Sequence, residues 1–172
     1  RSQQGVTYGN SAQYLLALVY EEQKHLDLAV NQLVDLKANI NYQDTLTVHV
    51  QDKLKQIYGQ QRKFDALTKL WADVDQTDST RKAQWAFEIG LIALEAQDFS
   101  LSTQWFEKAI NLNSDEIGGR ASLAVAKSKA LQKDWKASNA WIIGQFVQAD
   151  SRFYHLPDAI VGLAYLQMAE NF

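Results

Sequence analysis

The chain has no cysteine. A disulfide, a thiolate metal site and a cysteine nucleophile are therefore excluded. That absence suits an oxidising or a reducing compartment, so cytoplasm and periplasm both stay open. Proline occurs once, at Pro157, and the eight glycines are scattered. Both residues weaken helix interiors, so their scarcity favours a chain built of helices. No apolar run approaches the ~18 residues of a bilayer span, so no direct membrane span is expected. No secretory leader is visible. Basic residues do not dominate: 17 Lys and Arg stand against 20 Asp and Glu, a formal net charge of −3. The longest basic runs are the pairs Arg62-Lys63 and Arg81-Lys82. Nucleic-acid binders carry a basic face, so no nucleic-acid partner is expected.

Chemistry-bearing patterns are equally sparse. His25, His49 and His155 are far apart, and no His-x-x-x-His or Glu-x-x-His spacing places two ligands on one helix face. Asp73, Asp75 and Asp78 begin like a calcium loop, but Asp78 stands where that loop turns on glycine and Gln84 where it needs a bidentate Glu. A spacer with helix-capping acids is the reading taken. Gly118-Gly119 lacks the flanking Lys and Ser of a phosphate loop and reads as a helix end or a relaxed turn. No serine sits in a Gly-x-Ser-x-Gly context. Hence no catalytic residue, no metal and no cofactor is expected, and the protein reads as no enzyme.

What is present is periodicity. Tyr14, Leu15, Leu18 and Val19, then Leu26, Ala29, Val30 and Leu33, recur at steps of three, four and seven, with the polar Glu21–His25 between them. That is two helices joined by a tight turn. The pattern repeats around Gly59–Lys63, Glu95–Asp98 and Gln132–Asp134. An apolar or aromatic residue follows each turn: Leu26, Phe64, Phe99, Trp135 and finally Phe172, separated by 38, 35, 36 and 37 residues. A fixed period in this range marks a stacked helical-repeat array. Units of about 10–47, 48–82, 83–118 and 119–154 follow, with a truncated unit at 155–172, all in one array. Turn-rich spacers separate them at 39–47, 73–80, 111–119 and 148–157. Ser114 or Asp115, and Ser79 or Thr80, are the candidate caps.

These residues resemble tetratricopeptide (TPR) repeats. The third unit carries the match most fully: Gly90 and Ala109 on small sites, Phe99 and Phe106 on large ones, in the string Trp105-Phe106-Glu107-Lys108-Ala109-Ile110. The first unit supplies Ala17, Tyr20, Leu26, Ala29 and Leu33. The second has Tyr58, Phe64 and Trp71, but Lys55 and Leu67 occupy close-contact sites, so its helices are expected to splay. The fourth has Ala126, Trp135, Ser138 and Ile142, with Lys129 in place of a large residue. The tryptophans at 71, 105, 135 and 141 read as packing residues. The resemblance implies an all-α fold, a right-handed superhelical solenoid of antiparallel helix pairs.

It also implies a non-catalytic scaffold or adaptor that binds a protein or peptide segment on its concave face. By style this suits bacterial envelope, secretion or polysaccharide-export assemblies. A ligand- or peptide-sensing regulatory domain and a non-catalytic part of a larger enzyme are the alternatives. Carried residue by residue, the concave face takes Tyr14 and Leu18 in the first unit, and His49, Asp52, Lys53 and Gln56 in the second. It takes Gln84, Phe87, Glu88 and Leu91 in the third, and Arg120, Leu123 and Lys127 in the fourth. Phe87 and Leu91 form an apolar stripe that matches no packing site within a unit. Tyr14, Leu18 and Lys53 replace residues of the family's carboxylate clamp, which disfavours a terminal carboxylate as ligand. The last segment, Ile160 to Met168, is apolar on several sides. More repeats beyond it, or self-association through that helix, are expected.

Overall fold

The computed structural model describes residues 3–40, 45–113 and 115–171. Among them the chain is all-α. Nine helices run in sequential antiparallel pairs: α1 (Gln3–Glu22) with α2 (Leu26–Asn39), and α3 (Thr45–Gln60) with α4 (Phe64–Ala72). Next come α5 (Ser79–Glu95) with α6 (Phe99–Leu112), and α7 (Glu116–Leu131) with α8 (Trp135–Ile142). A π-helical turn, Ile143–Val147, extends α8, and α9 (Asp158–Glu170) opens a fifth pair. The chain divides into two compact units, residues 1–70 and 71–172.

The four apolar anchors Leu26, Phe64, Phe99 and Trp135 are the first residues of α2, α4, α6 and α8. Phe172 lies outside the described residues. The turns before these anchors share one construction. Lys24, Arg62, Gln97 and Lys133 have φ of 64°, 52°, 61° and 64°. The next residue in each case donates its N–H to a carbonyl five positions back: His25 to Tyr20, Lys63 to Tyr58, Asp98 to Ala93 and Asp134 to Lys129, at 2.9–3.0 Å. The left-handed residue itself donates to the carbonyl three back. This double bond pattern is the Schellman ending of a helix, a place usually held by glycine. Here Lys, Arg and Gln hold it.

Three helices of the second unit, α5, α6 and α8, start on side-chain caps, whereas α2 has none. Asp98 and Asp134 carboxylates accept from the N–H of Leu101 and Ala137, both at 3.0 Å. Asp78 does the same for Arg81 at 2.9 Å. The cap of α5 is thus Asp78, in place of the expected Ser79 or Thr80. Asp75, next in the acidic run, accepts from the N–H and hydroxyl of Thr77. At α7, Asp115 stands at the cap position but its side chain caps nothing. Asn113 Oδ1 takes that role, accepting from Asp115 N–H at 2.9 Å and Gly118 N–H at 3.5 Å. Ser114 lies outside the described residues.

In the first unit, Ala17, Ala29, Leu33, Leu36, Val50, Leu54, Ile57 and Leu67 are buried. Leu67 of α4 is buried, and Lys55 of α3 is part-buried.

In the second unit, α5 and α6 meet at Gly90. A Cβ there would lie 2.5 Å from Phe106 Cε1. The α7/α8 pair is joined by polar bonds instead of a large residue. Ser138 Oγ donates to Ala126 O at 2.9 Å, and Trp141 Nε1 donates to Ser122 O at 3.1 Å. Lys129 carries its ammonium over the Trp141 ring, 5.7 Å away.

Gly118 and Gly119 neither end a helix nor relax a turn. They lie buried inside the first turn of α7. A Cβ on Gly118 would meet Asn113 O at 1.9 Å, and one on Gly119 would meet Leu156 Cδ1 at 2.3 Å. The 148–157 spacer therefore packs closely against α7. It buries Phe153 and Leu156. The Phe153 ring lies 5.5 Å from Phe146 of the π-helical turn. Arg152 closes the segment by donating to Ile110 O at 2.6 Å.

Candidate functional site

The first helices of successive pairs in the second unit, α5, α7 and α9, enclose an open groove of about 360 Å³. Phe87 of α5 forms one edge. Arg120, Leu123, Ala124 and Lys127 of α7 form the central wall, and Leu163, Leu166, Gln167 and Glu170 of α9 the facing one. Helical spacing explains the α7 wall. Residues three, four and seven apart share one face, so Arg120, Leu123, Ala124 and Lys127 stand in a row. On α9 the same spacing aligns Leu163, Leu166, Gln167 and Glu170, while Ile160 and Ala164 turn inward and are buried. Leu163 and Leu166 are 53% and 56% exposed, more than large apolar side chains inside a packed face.

Four of the residues expected on a binding face, Phe87, Arg120, Leu123 and Lys127, come together here. Phe87 differs from its expected role. It is only 6% exposed, and its ring lies 5.9 Å from Phe106. Phe106 belongs to α6, the partner helix of the same pair, so Phe87 does pack within its own unit. It is a core residue that shows one edge to the groove, with the Arg120 guanidinium 5.4 Å above its ring. Leu91 is half-buried and does not line the groove. Gln84 and Glu88 also lie off it; Gln84 Nε2 donates to Glu88 Oε1 at 2.8 Å.

The expected first-unit residues lie on α1 and α3. Tyr14 and Leu18 are half-buried on α1, and Asp52 and Lys53 on α3, while Gln56 and His49 are exposed. Lys53 Nζ reaches Glu21 at 2.9 Å, tying α3 to α1, and donates to Gln56 Oε1 at 2.9 Å. Asp52 faces Lys55 at 4.0 Å.

The α9 wall escaped sequence reasoning. A helix apolar on several sides has no clear periodicity to say which side faces in. Trp135 also departs from expectation: it is 45% exposed, not packed. Trp105 is buried, edge-on to Trp71 with centroids 5.3 Å apart. Lys108 Nζ lies 3.7 Å from the Trp105 centroid, and burial lowers its pKa below the usual lysine value. Trp71 Nε1 donates to Lys82 O at 3.0 Å, and Lys82 Nζ donates to Gln76 Oε1. In the first unit, burial raises the pKa of Tyr58. Among the described residues no three His, Cys, Asp or Glu side chains converge as metal ligands would. No described helix is long and apolar enough to cross a membrane.

No family model matches this sequence, and no curated protein matches it significantly. The backbone is similar to solved TPR-like repeats. These are the nearly identical repeats of a Podosopora anserina protein described as a kinesin light chain. A point variant of that protein gives a TM-score of 0.51 at 13% identity, covering 93% of this chain and 86% of that one. A second structure of the repeats gives 0.50 at 13% identity, covering 93% and 87%. At such identity the likeness establishes the fold, a TPR-like helical repeat, and nothing finer.

Proposed function

We propose that the protein is a non-catalytic scaffold or adaptor that seats a segment of a protein partner in the α5–α7–α9 groove. The observation that carries this reading is the exposure of Leu163 and Leu166 beside Leu123 and Ala124 in a preformed concavity. Apolar side chains gathered in a groove with polar groups at its rim favour a ligand that brings apolar surface of its own. Burying it stabilises the complex by about 25 cal/mol per Å².

A photo-crosslinking amino acid placed at Leu166 tests the reading. The same label at Tyr165, which is exposed but does not line the groove, serves as the control. Adducts with one partner segment are expected at 166 and not at 165. Equal labelling at both positions would remove the groove from consideration.

A second reading rests on Tyr165, 51% exposed beside Leu166. In it α9 joins two copies of the chain. Sedimentation velocity over a range of concentrations would then show a dimer that Tyr165→Lys dissociates.

A further inference from the structure

The outer face of α1, in the first unit, points to a contact that does not involve the groove. Gly9, Ala12, Leu16 and Val19 follow one another at steps of three and four, the spacing of a two-helix seam. All four are exposed, as is Leu15 beside them. A Cβ on Gly9 would meet nothing within 4 Å. From Ser2 to Tyr20 the sequence holds no charged residue.

The same repeat positions are closed elsewhere. Leu16 and Val19 correspond to Leu54 and Ile57 of α3, 38 residues on, which are 1% and 0% exposed. The preceding helix, α2, packs against α3. On α7 the counterparts are Val125 and Ser128, both fully buried. On α1, Leu16 and Val19 are 41% and 49% exposed, and Leu15 is 60% exposed. In this repeat the face is one that another helix covers, and α1 shows it bare.

Shape and charge select the occupant. The stripe tapers, from the small Gly9 and Ala12 to the large Leu16 and Val19. Consider a second α1 laid antiparallel, with a twofold axis between Leu15 and Leu16. Leu16 then meets Leu15 of the other copy, and Val19 meets its Ala12. Large residues fall opposite small ones, and the two helices keep an even spacing without voids. Parallel pairing would set small on small and leave gaps. In the antiparallel arrangement the two exposed Glu22 side chains lie about 20 Å apart along the axis, well beyond the screening length of ~10 Å. An uncharged stripe does nothing to attract a charged partner, whereas self-complementarity is what an isologous contact requires.

We propose that two copies of the chain pair through α1, antiparallel, around Leu15, Leu16 and Val19. Three large apolar side chains from each copy make a small interface, so the dimer dissociates reversibly on dilution. No charge lies in the seam, so salt changes its affinity little. A dimer presents every surface of the scaffold twice, which raises its avidity for a partner that repeats.

Sedimentation velocity of the whole chain over a range of concentrations, at low and high salt, tests this. Expected is a monomer–dimer equilibrium nearly independent of salt. Leu16→Glu/Val19→Glu should weaken it about tenfold or more, and Tyr165→Lys should leave it unchanged. The altered positions are exposed, and circular dichroism verifies that the variants stay helical. The absence of cysteine allows a second measurement with milder variants. Chains carrying Ala12→Cys and chains carrying Val19→Cys are mixed under gentle oxidation. Expected is a disulfide between the two variants in preference to either with itself. Self-linked products in excess would overturn the antiparallel seam. A monomer at every concentration would overturn the proposal, as would a dimer that Tyr165→Lys dissociates and the α1 variant leaves intact.

Discussion

Phe87 shows how one residue can belong to the core and border the site at once. Its ring packs on Phe106, which in turn excludes any Cβ at Gly90. Phe87→Ala is therefore expected to destabilise the second unit by about 3–5 kcal/mol, measured by urea unfolding, and is a poor probe of binding. Gly90→Ala should cost about 1–3 kcal/mol, because the aromatic ring must move to admit a methyl group. Leu163→Glu should leave the unfolding midpoint nearly unchanged.

Two ionisable residues give stability a pH dependence of opposite sign. The folded pKa of Lys108 is lowered by burial, so the unfolded chain binds more protons between that value and 10.5. Stability should rise with pH through this window. The folded pKa of Tyr58 is raised by burial, so the unfolded chain ionises first above 10.0. Stability should fall as pH rises past that point. Urea midpoints across the alkaline range should lose the rise in Lys108→Met and the fall in Tyr58→Phe.

At the scale of helices and their junctions, the turns are the most regular feature of the chain. Four non-glycine residues sit at positive φ with the same pair of backbone bonds. A left-handed conformation costs an L-residue about 1–2 kcal/mol. Gln97→Gly should therefore raise stability by roughly 0.5–1 kcal/mol, the strain relieved exceeding the added freedom of the unfolded chain. Asp98→Ala, at the next position, should lower it by about 1 kcal/mol through loss of the α6 cap. Thermal denaturation of the two variants should move in opposite directions although the residues are adjacent.

Across the molecule, helix content, pairing and the places of Leu26, Phe64, Phe99 and Trp135 were all legible in the sequence. Apolar spacing at 3.6 residues and a recurrent turn are local properties, and local chemistry suffices to produce them. The left-handed turn residues were not legible, because their usual mark, glycine, is absent from all four positions. Tertiary contacts decided the rest. Phe153 and Leu156 are buried in a spacer that reads as polar because two glycines of α7, distant in sequence, open room for them. Trp135 begins a helix as expected, yet which side of it is covered depends on its neighbours in space. Three residues of the α7 wall, Arg120, Leu123 and Lys127, were expected through the family resemblance, and Ala124 was not. The α9 wall was not: a helix apolar on several sides acquires an inner face, Ile160 and Ala164, and an outer one, Leu163 and Leu166, only when it packs.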